Sequence, residues 1–171
     1  KGFRVQSYAT DPVPSVAGWT SGGNLPAGRY VGGGFGTQTA NSYAGGIPPA
    51  TSGTNTTDNY NGSTWTSGGN LGTARYGMGA GGTQTAGLVY GGYSSGFKNN
   101  TEEYDGSSWT GGGTLTNTRS AIAGAGGGIG TQTAGLAVGG YIPTAPPGYQ
   151  TDYVEEYDGS SWTAVTVTPA T

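Results

Sequence analysis

A chain of 171 residues is long enough for one domain of ordinary size, yet 38 of its residues are Gly and the formal net charge is only −3. Six basic and nine acidic residues, scattered along the chain, make no patch to neutralise a phosphate backbone, and no apolar run reaches the ~20 residues of a membrane span. Nucleic acid and membrane insertion are therefore not expected, and 12 Tyr and 4 Trp are left to supply much of any core, because each buries a large area.

Residues 1–18 read as a lead-in segment containing Pro12 and Pro14. From Trp19 the chain repeats itself. Trp19, Trp65, Trp109 and Trp162 are separated by 46, 44 and 53 residues, and Arg29, Arg75 and Arg119 stand 10 residues after the first three of them. A Thr-Gln-Thr-Ala segment begins at Thr37, Thr83 and Thr131, and a Gly-Gly pair follows at Gly45, Gly91 and Gly139. Tyr60, Tyr104 and Tyr157 stand 5 residues before the last three tryptophans. The repeat domain thus spans 19–163, in units of about 20–66, 67–110 and 111–163. Residues 164–171 read as one more strand or a tail, because Val165 and Val167 alternate.

Within each unit the spacing predicts four short strands. Residues 75–82, RYGMGAGG, are too Gly-rich for an isolated strand and suit a first strand crowded by neighbouring backbones. In residues 83–92 Ala86, Leu88 and Tyr90 recur at period two, which predicts a second strand with one buried face. The third strand ends at the Tyr and the fourth opens at the Trp. Between them Asn61-Gly62, Asp105-Gly106 and Asp158-Gly159 predict type I′ hairpin turns, which need positive φ at both central residues. No segment has the 3.6-residue apolar period of a helix. The first unit departs from the pattern: Ser42 stands where Leu88 and Leu136 do, and Asp58-Asn59-Tyr60 replaces Glu-Glu-Tyr. That unit is expected to be looser, or to turn its inner face to something other than a neighbouring unit.

Having no His and no Cys, the chain cannot build Ser-His or Cys-His nucleophile pairs or the usual zinc sites. No catalytic residue, metal or cofactor is expected. The pairs Glu102-Glu103 and Glu155-Glu156 would point to opposite faces of a strand, so one Glu of each is expected to partner a repeat Arg. An Arg once per unit implies a task done once per unit, such as an inter-unit hydrogen bond or ion pair, and the tryptophans are expected to pack between units. The connections between second and third strands vary in length and content, and binding residues concentrate on variable loops held by a rigid scaffold. Their aromatics, Tyr93, Phe97, Tyr141, Tyr149 and Tyr153, are the candidate contacts for a sugar or a protein.

Arg75-Tyr76-Gly77, Gly91-Gly92-Tyr93, Glu103-Tyr104-Asp105 and Trp109 together resemble the Kelch repeat in order and approximate spacing, and the resemblance covers residues 19 to 163. It implies an all-β chain of Kelch-type β-propeller blades, each a four-stranded antiparallel meander. Propellers have 4–8 blades, so three units are not expected to close as a monomer; other copies, or further blades of a longer chain, would complete the ring. The spelling also resembles Gly- and Thr-rich repeats in structural proteins of tailed phages from aquatic environments. That resemblance implies a virion structural protein, a tail-fibre or surface component in a virion or extracellular setting, touching other virion proteins and recognising host-surface glycan or protein. The alternative is a cellular or secreted Kelch module, cytoplasmic in the first case, that binds protein or carbohydrate.

Overall fold

The structure is a computed structural model that describes residues 21–49, 52–120, 129–142 and 150–165. Trp19, Tyr149, the lead-in 1–18 and residues 166–171 lie outside the described residues. The first unit contains β1 (Gly33–Thr37), β2 (Ala40–Ala44), β3 (Thr57–Tyr60) and β4 (Trp65–Ser67). The second contains β5 (Gly79–Thr83), β6 (Ala86–Tyr90), β7 (Thr101–Tyr104) and β8 (Trp109–Gly111). The third contains β9 (Gly130–Thr131), β10 (Ala134–Val138), β11 (Val154–Tyr157) and β12 (Trp162–Ala164). Each set is one antiparallel sheet with its strands in chain order, and no helix occurs among the described residues. The fold is all-β: three blade-like four-stranded meanders, the outer two not paired to each other.

Turn chemistry sets the strand ends. Thr37 pairs with Ala40, Thr83 with Ala86 and Thr131 with Ala134, so Gln-Thr forms a two-residue hairpin tip in every unit. The preceding Gly36, Gly82 and Gly130 have φ of 112°, 98° and 86°, and a Cβ there would lie 2.2 Å from the carbonyl oxygen of the Ala across the turn. Only Gly fits.

The turn between third and fourth strands differs from the expectation. Tyr60 pairs with Trp65, leaving a four-residue loop, and of its members only Gly62 has positive φ, so the turn is not type I′. The side chain of Asn61 displaces that geometry. Its Oδ1 accepts the N–H groups of Ser63 and Thr64 at 3.0 and 2.9 Å, an Asx turn. Asp105 and Asp158 do the same for Ser107–Ser108 and Ser160–Ser161, at 2.7–2.8 Å. The N–H groups of Ser108 and Ser107 hold the Asp105 carboxyl well below the usual carboxylate range, and those of Ser161 and Ser160, with the Ser160 hydroxyl, bring Asp158 down to about 2.

The core lies in two layers between the three sheets. Phe35, Ala44, Leu71, Met78, Ala80, Val89 and Tyr104, with Trp109 against them, fill the first junction. Leu88, Tyr90, Leu115, Ala137, Tyr157 and Trp162 fill the second. The middle strand β6 is therefore buried on both faces, Val89 toward the first unit and Leu88 and Tyr90 toward the third. A period-two pattern predicts one buried face, and a sheet sandwiched between two others has two.

Each junction is closed by the same three contacts. The Trp of each later unit seats on the unit before it: Trp109 Nε1 donates to Thr57 Oγ1 at 3.0 Å, and also to the Gly69 carbonyl of its own unit at 3.0 Å, and Trp162 Nε1 donates to Thr101 Oγ1 at 2.8 Å. The Tyr hydroxyl bonds the last-but-one residue of the preceding third strand, Asn59 Nδ2 donating to Tyr104 at 2.9 Å and Tyr157 donating to Glu103 at 2.6 Å. Burial and this acceptor push the Tyr157 phenol up to about 12, so it stays a donor. Gly68 and Gly112 leave room for those hydroxyls, since a Cβ would sit 2.4 and 2.5 Å from them. Finally the hairpin-tip glutamine hooks backward. Gln84 Nε2 donates to the Asn41 and Tyr60 carbonyls, each at 2.8 Å, and Gln132 Nε2 to those of Gly87 and Tyr104, each at 3.0 Å.

The first unit is not loose. Ser42 is fully buried and its Oγ donates to Asn59 Oδ1 at 2.7 Å, which leaves the Asn59 amide for Tyr104. Its two polar departures satisfy each other, and its inner face meets the second unit.

Candidate functional site

The end of the molecule that carries the variable connections is organised by the three arginines. Arg29 pairs with Asp58 at 2.6 Å, Arg75 with Glu102, and Arg119 with Glu155 at 2.6 Å, all six side chains almost wholly buried. Each acid comes from the third strand of the same unit, so these ion pairs are internal to a unit and not the inter-unit links that once-per-unit spacing expected. The second guanidinium nitrogen reaches a backbone carbonyl of that sheet or its connection: Tyr43 for Arg29, Asn100 for Arg75 and Tyr153 for Arg119. Burial pulls Arg75 and Arg119 below the ordinary guanidinium range, while Glu102 and Glu155 oppose it. A guanidinium stays charged in a protein, and the hydrogen-bonded partner is what makes its burial tolerable. The link between units runs instead through the arginine backbone, with Gly46 N–H donating to the Arg75 carbonyl at 2.9 Å and Gly92 N–H to that of Arg119 at 2.8 Å.

Anchoring the Arg fixes the residue after it. Tyr30, Tyr76 and Ser120 bridge antiparallel to Ile47, Tyr93 and Tyr141, the residues that follow the Gly-Gly pairs. In the second and third units this lines up aromatic rings. Tyr76 and Tyr93 have centroids 5.5 Å apart, Phe97 stands edge-on to Tyr93 at 5.2 Å, and Tyr141 stacks on Phe97 at 6.5 Å with planes 15° apart. Tyr76, Tyr93 and Phe97 are half-buried, and Tyr141 is 37 % exposed. Four rings thus form one row across the boundary between two units.

Of the residues expected from sequence, the structure brings together Tyr93, Phe97 and Tyr141. Tyr153 is 47 % exposed but stands apart, in the third unit, beside a cavity of about 230 Å³ lined also by Thr116, Asn117, Val154, Glu155, Ala164 and Val165. Tyr149 lies outside the described residues. Tyr76 lies outside the variable connections, in the constant segment after Arg75, and the isolated bridge to Tyr93 is what carries its ring to the row. Among the described residues the first unit has no such row. It exposes Tyr30 and Val31, and Val31 holds φ of 57° where the second unit has Gly77 at 61°. That is a strained setting for a β-branched residue. Among the described residues no group of three or more Asp or Glu side chains is placed to hold a metal ion. The chain matches no protein-family model and no curated protein.

Proposed function

We propose that this chain is a non-enzymatic structural and recognition module, a tail-fibre or surface component of a virion, that docks host-surface glycan on the row Tyr76–Tyr93–Phe97–Tyr141. The row is the observation that carries the reading. Aromatic rings offer a flat apolar face with a polar rim, which suits the C–H face of a sugar ring and the hydroxyls around it. Rings already packed against one another lose little freedom on binding, which lowers the cost of association. The buried Arg–acid pairs below them supply a rigid base, and binding surfaces are commonly variable loops on rigid supports. The virion setting draws on the resemblance of the repeat spelling to tailed-phage structural proteins.

The test is glycan-array binding of the purified chain beside its Phe97→Ala and Tyr141→Ala variants. Loss of the bound glycan in both variants, with the melting temperature of Tyr141→Ala unchanged, is expected. Binding that survives both substitutions overturns the assignment of the row.

A further inference from the structure

The junction contacts run out at the two ends of the array in complementary ways. Gln84 and Gln132 each hook two carbonyls of the preceding unit, whereas Gln38, at the same hairpin tip, is exposed and makes no hydrogen bond among the described residues. The carbonyls taken by Gln84 belong to Asn41 and Tyr60, and those taken by Gln132 to Gly87 and Tyr104; each couple is directly paired across second and third strands. Gly135 and Tyr157 form the same couple on the third unit, and no side chain among the described residues bonds their carbonyls. Glu103 accepts the Tyr157 hydroxyl, and the equivalent Glu156 is exposed. Tyr60, the counterpart of Tyr157, is half-buried with no hydrogen bond from its hydroxyl among the described residues. Leu88 is fully buried at the second junction, and its counterpart Leu136 is only half-buried.

We propose that two copies of this chain join head to tail, the outer face of the first unit of each seating on the outer face of the third unit of the other. Gln38 donates to the Gly135 and Tyr157 carbonyls, and the Tyr60 hydroxyl donates to Glu156. The new junctions continue the two existing ones with the same hooks in the same register. A heterologous contact of this kind closes into a ring when the rotation allows. Two copies bring six units, within the 4–8 at which radial arrays of four-stranded sheets close.

Two departures in the third unit fit this arrangement. Val154 stands where Thr57 and Thr101 accept the indole N–H of the following unit. Trp65 already donates its N–H to the Gly23 carbonyl at 3.0 Å, so an apolar Val154 leaves that donor satisfied. Val165 stands where Gly68 and Gly112 clear a Tyr hydroxyl. The incoming copy brings its own glycines, Gly22 and Gly23, already placed over Tyr60 and Ser63. Val165 must then move aside, releasing the bond from its N–H to the Val154 carbonyl.

Sedimentation equilibrium is expected to give twice the 16.9 kDa of the chain. Gln38→Glu, at an exposed tip, and Leu136→Asp, on the outer face, each give a monomer that melts cooperatively. Mixing the two variants restores a one-to-one complex, because each retains the face the other lacks. Deleting residues 165–171 tightens the wild-type dimer by roughly 10- to 100-fold, the worth of two hydrogen bonds, one at each junction, no longer broken. A monomeric wild type, single variants that stay dimeric, or a mixture that stays monomeric would each overturn the proposal. None of these changes touches the row Tyr76–Tyr93–Phe97–Tyr141, so the two proposals fail separately.

Discussion

Strands β6 and β10 are nearly the same five residues, Ala-Gly-Leu-Val-Tyr and Ala-Gly-Leu-Ala-Val, and they live in different surroundings. In β6 Leu88, Val89 and Tyr90 are all fully buried; in β10 only Gly135 and Ala137, on the side facing the middle unit, are buried. The difference is a neighbour. A blade-like sheet in the middle of the row is an interior layer with two packed faces, and the same sheet at the end is a surface with one. Stability in this chain is thus a property of junctions more than of units, as in other stacked-repeat proteins.

Substitutions at equivalent positions sharpen the comparison. The largest difference is expected at the tryptophans. Trp162 is buried against Tyr90 and bonded to Thr101, so Trp162→Ala should cost about 3–5 kcal/mol in urea unfolding of the monomer. Trp65 is half-exposed and packs on its own unit, and Trp65→Ala should cost well under half of that; equal losses would mean that the junctions are not where the stability lies. Next come the leucines. Leu88→Ala should cost about 2–5 kcal/mol and Leu136→Ala much less in the monomer, because one leaves a cavity and the other a dent in a surface.

The hairpin-tip glutamines follow. Gln84→Ala strips two partly buried carbonyls of their donor, for about 1–3 kcal/mol, while Gln38→Ala should leave monomer unfolding unchanged. The smallest effect concerns the Asx turns. The Asp158 carboxyl is depressed from its ordinary 3.8 to about 2. A depressed carboxylate contributes stability above its unfolded pKa, and loses it as the pH falls through the folded value. Melting temperature should therefore drop between about pH 4 and pH 2, and Asp158→Asn, which copies the Asn61 turn, should flatten part of that drop. An unchanged profile in Asp158→Asn would show that the turn carboxylate is not linked to folding.

Much of the fold could be read from local spelling. Asp-Gly-Ser-Ser between a Tyr and a Trp, or Asn-Gly-Ser-Thr in the first unit, acts within a few residues and marks where the third strand ends and the fourth opens in all three units, whereas Thr-Gln-Thr-Ala was legible only as a recurring marker. The turn departs from type I′ because a side-chain acceptor that reaches two and three residues ahead competes with the Asn-Gly and Asp-Gly preference for positive φ. Tyr93, Phe97 and Tyr141 were legible as loop aromatics. Tyr76 was not, because what brings it to the row is a backbone bridge across the sheet, between residues far apart in sequence. Nor did repetition alone show that Gln84 and Gln132 are hooks, since a marker recurring once per unit does not say which unit it touches.

What the sequence determined by itself is therefore the periodic part: three meanders, their strand order, the Arg with an acid for partner, and the absence of His and Cys chemistry. These follow from φ preferences, period-two alternation and residue type, all of which act along the chain. What only the tertiary structure decided is which faces meet. It closed each Arg–acid pair inside a unit, buried both faces of β6, turned the glutamines backward and aligned four rings across a unit boundary. Packing couples residues about 45 positions apart through the twist and spacing of whole sheets, and a repeated segment reads the same whether or not a neighbour covers it.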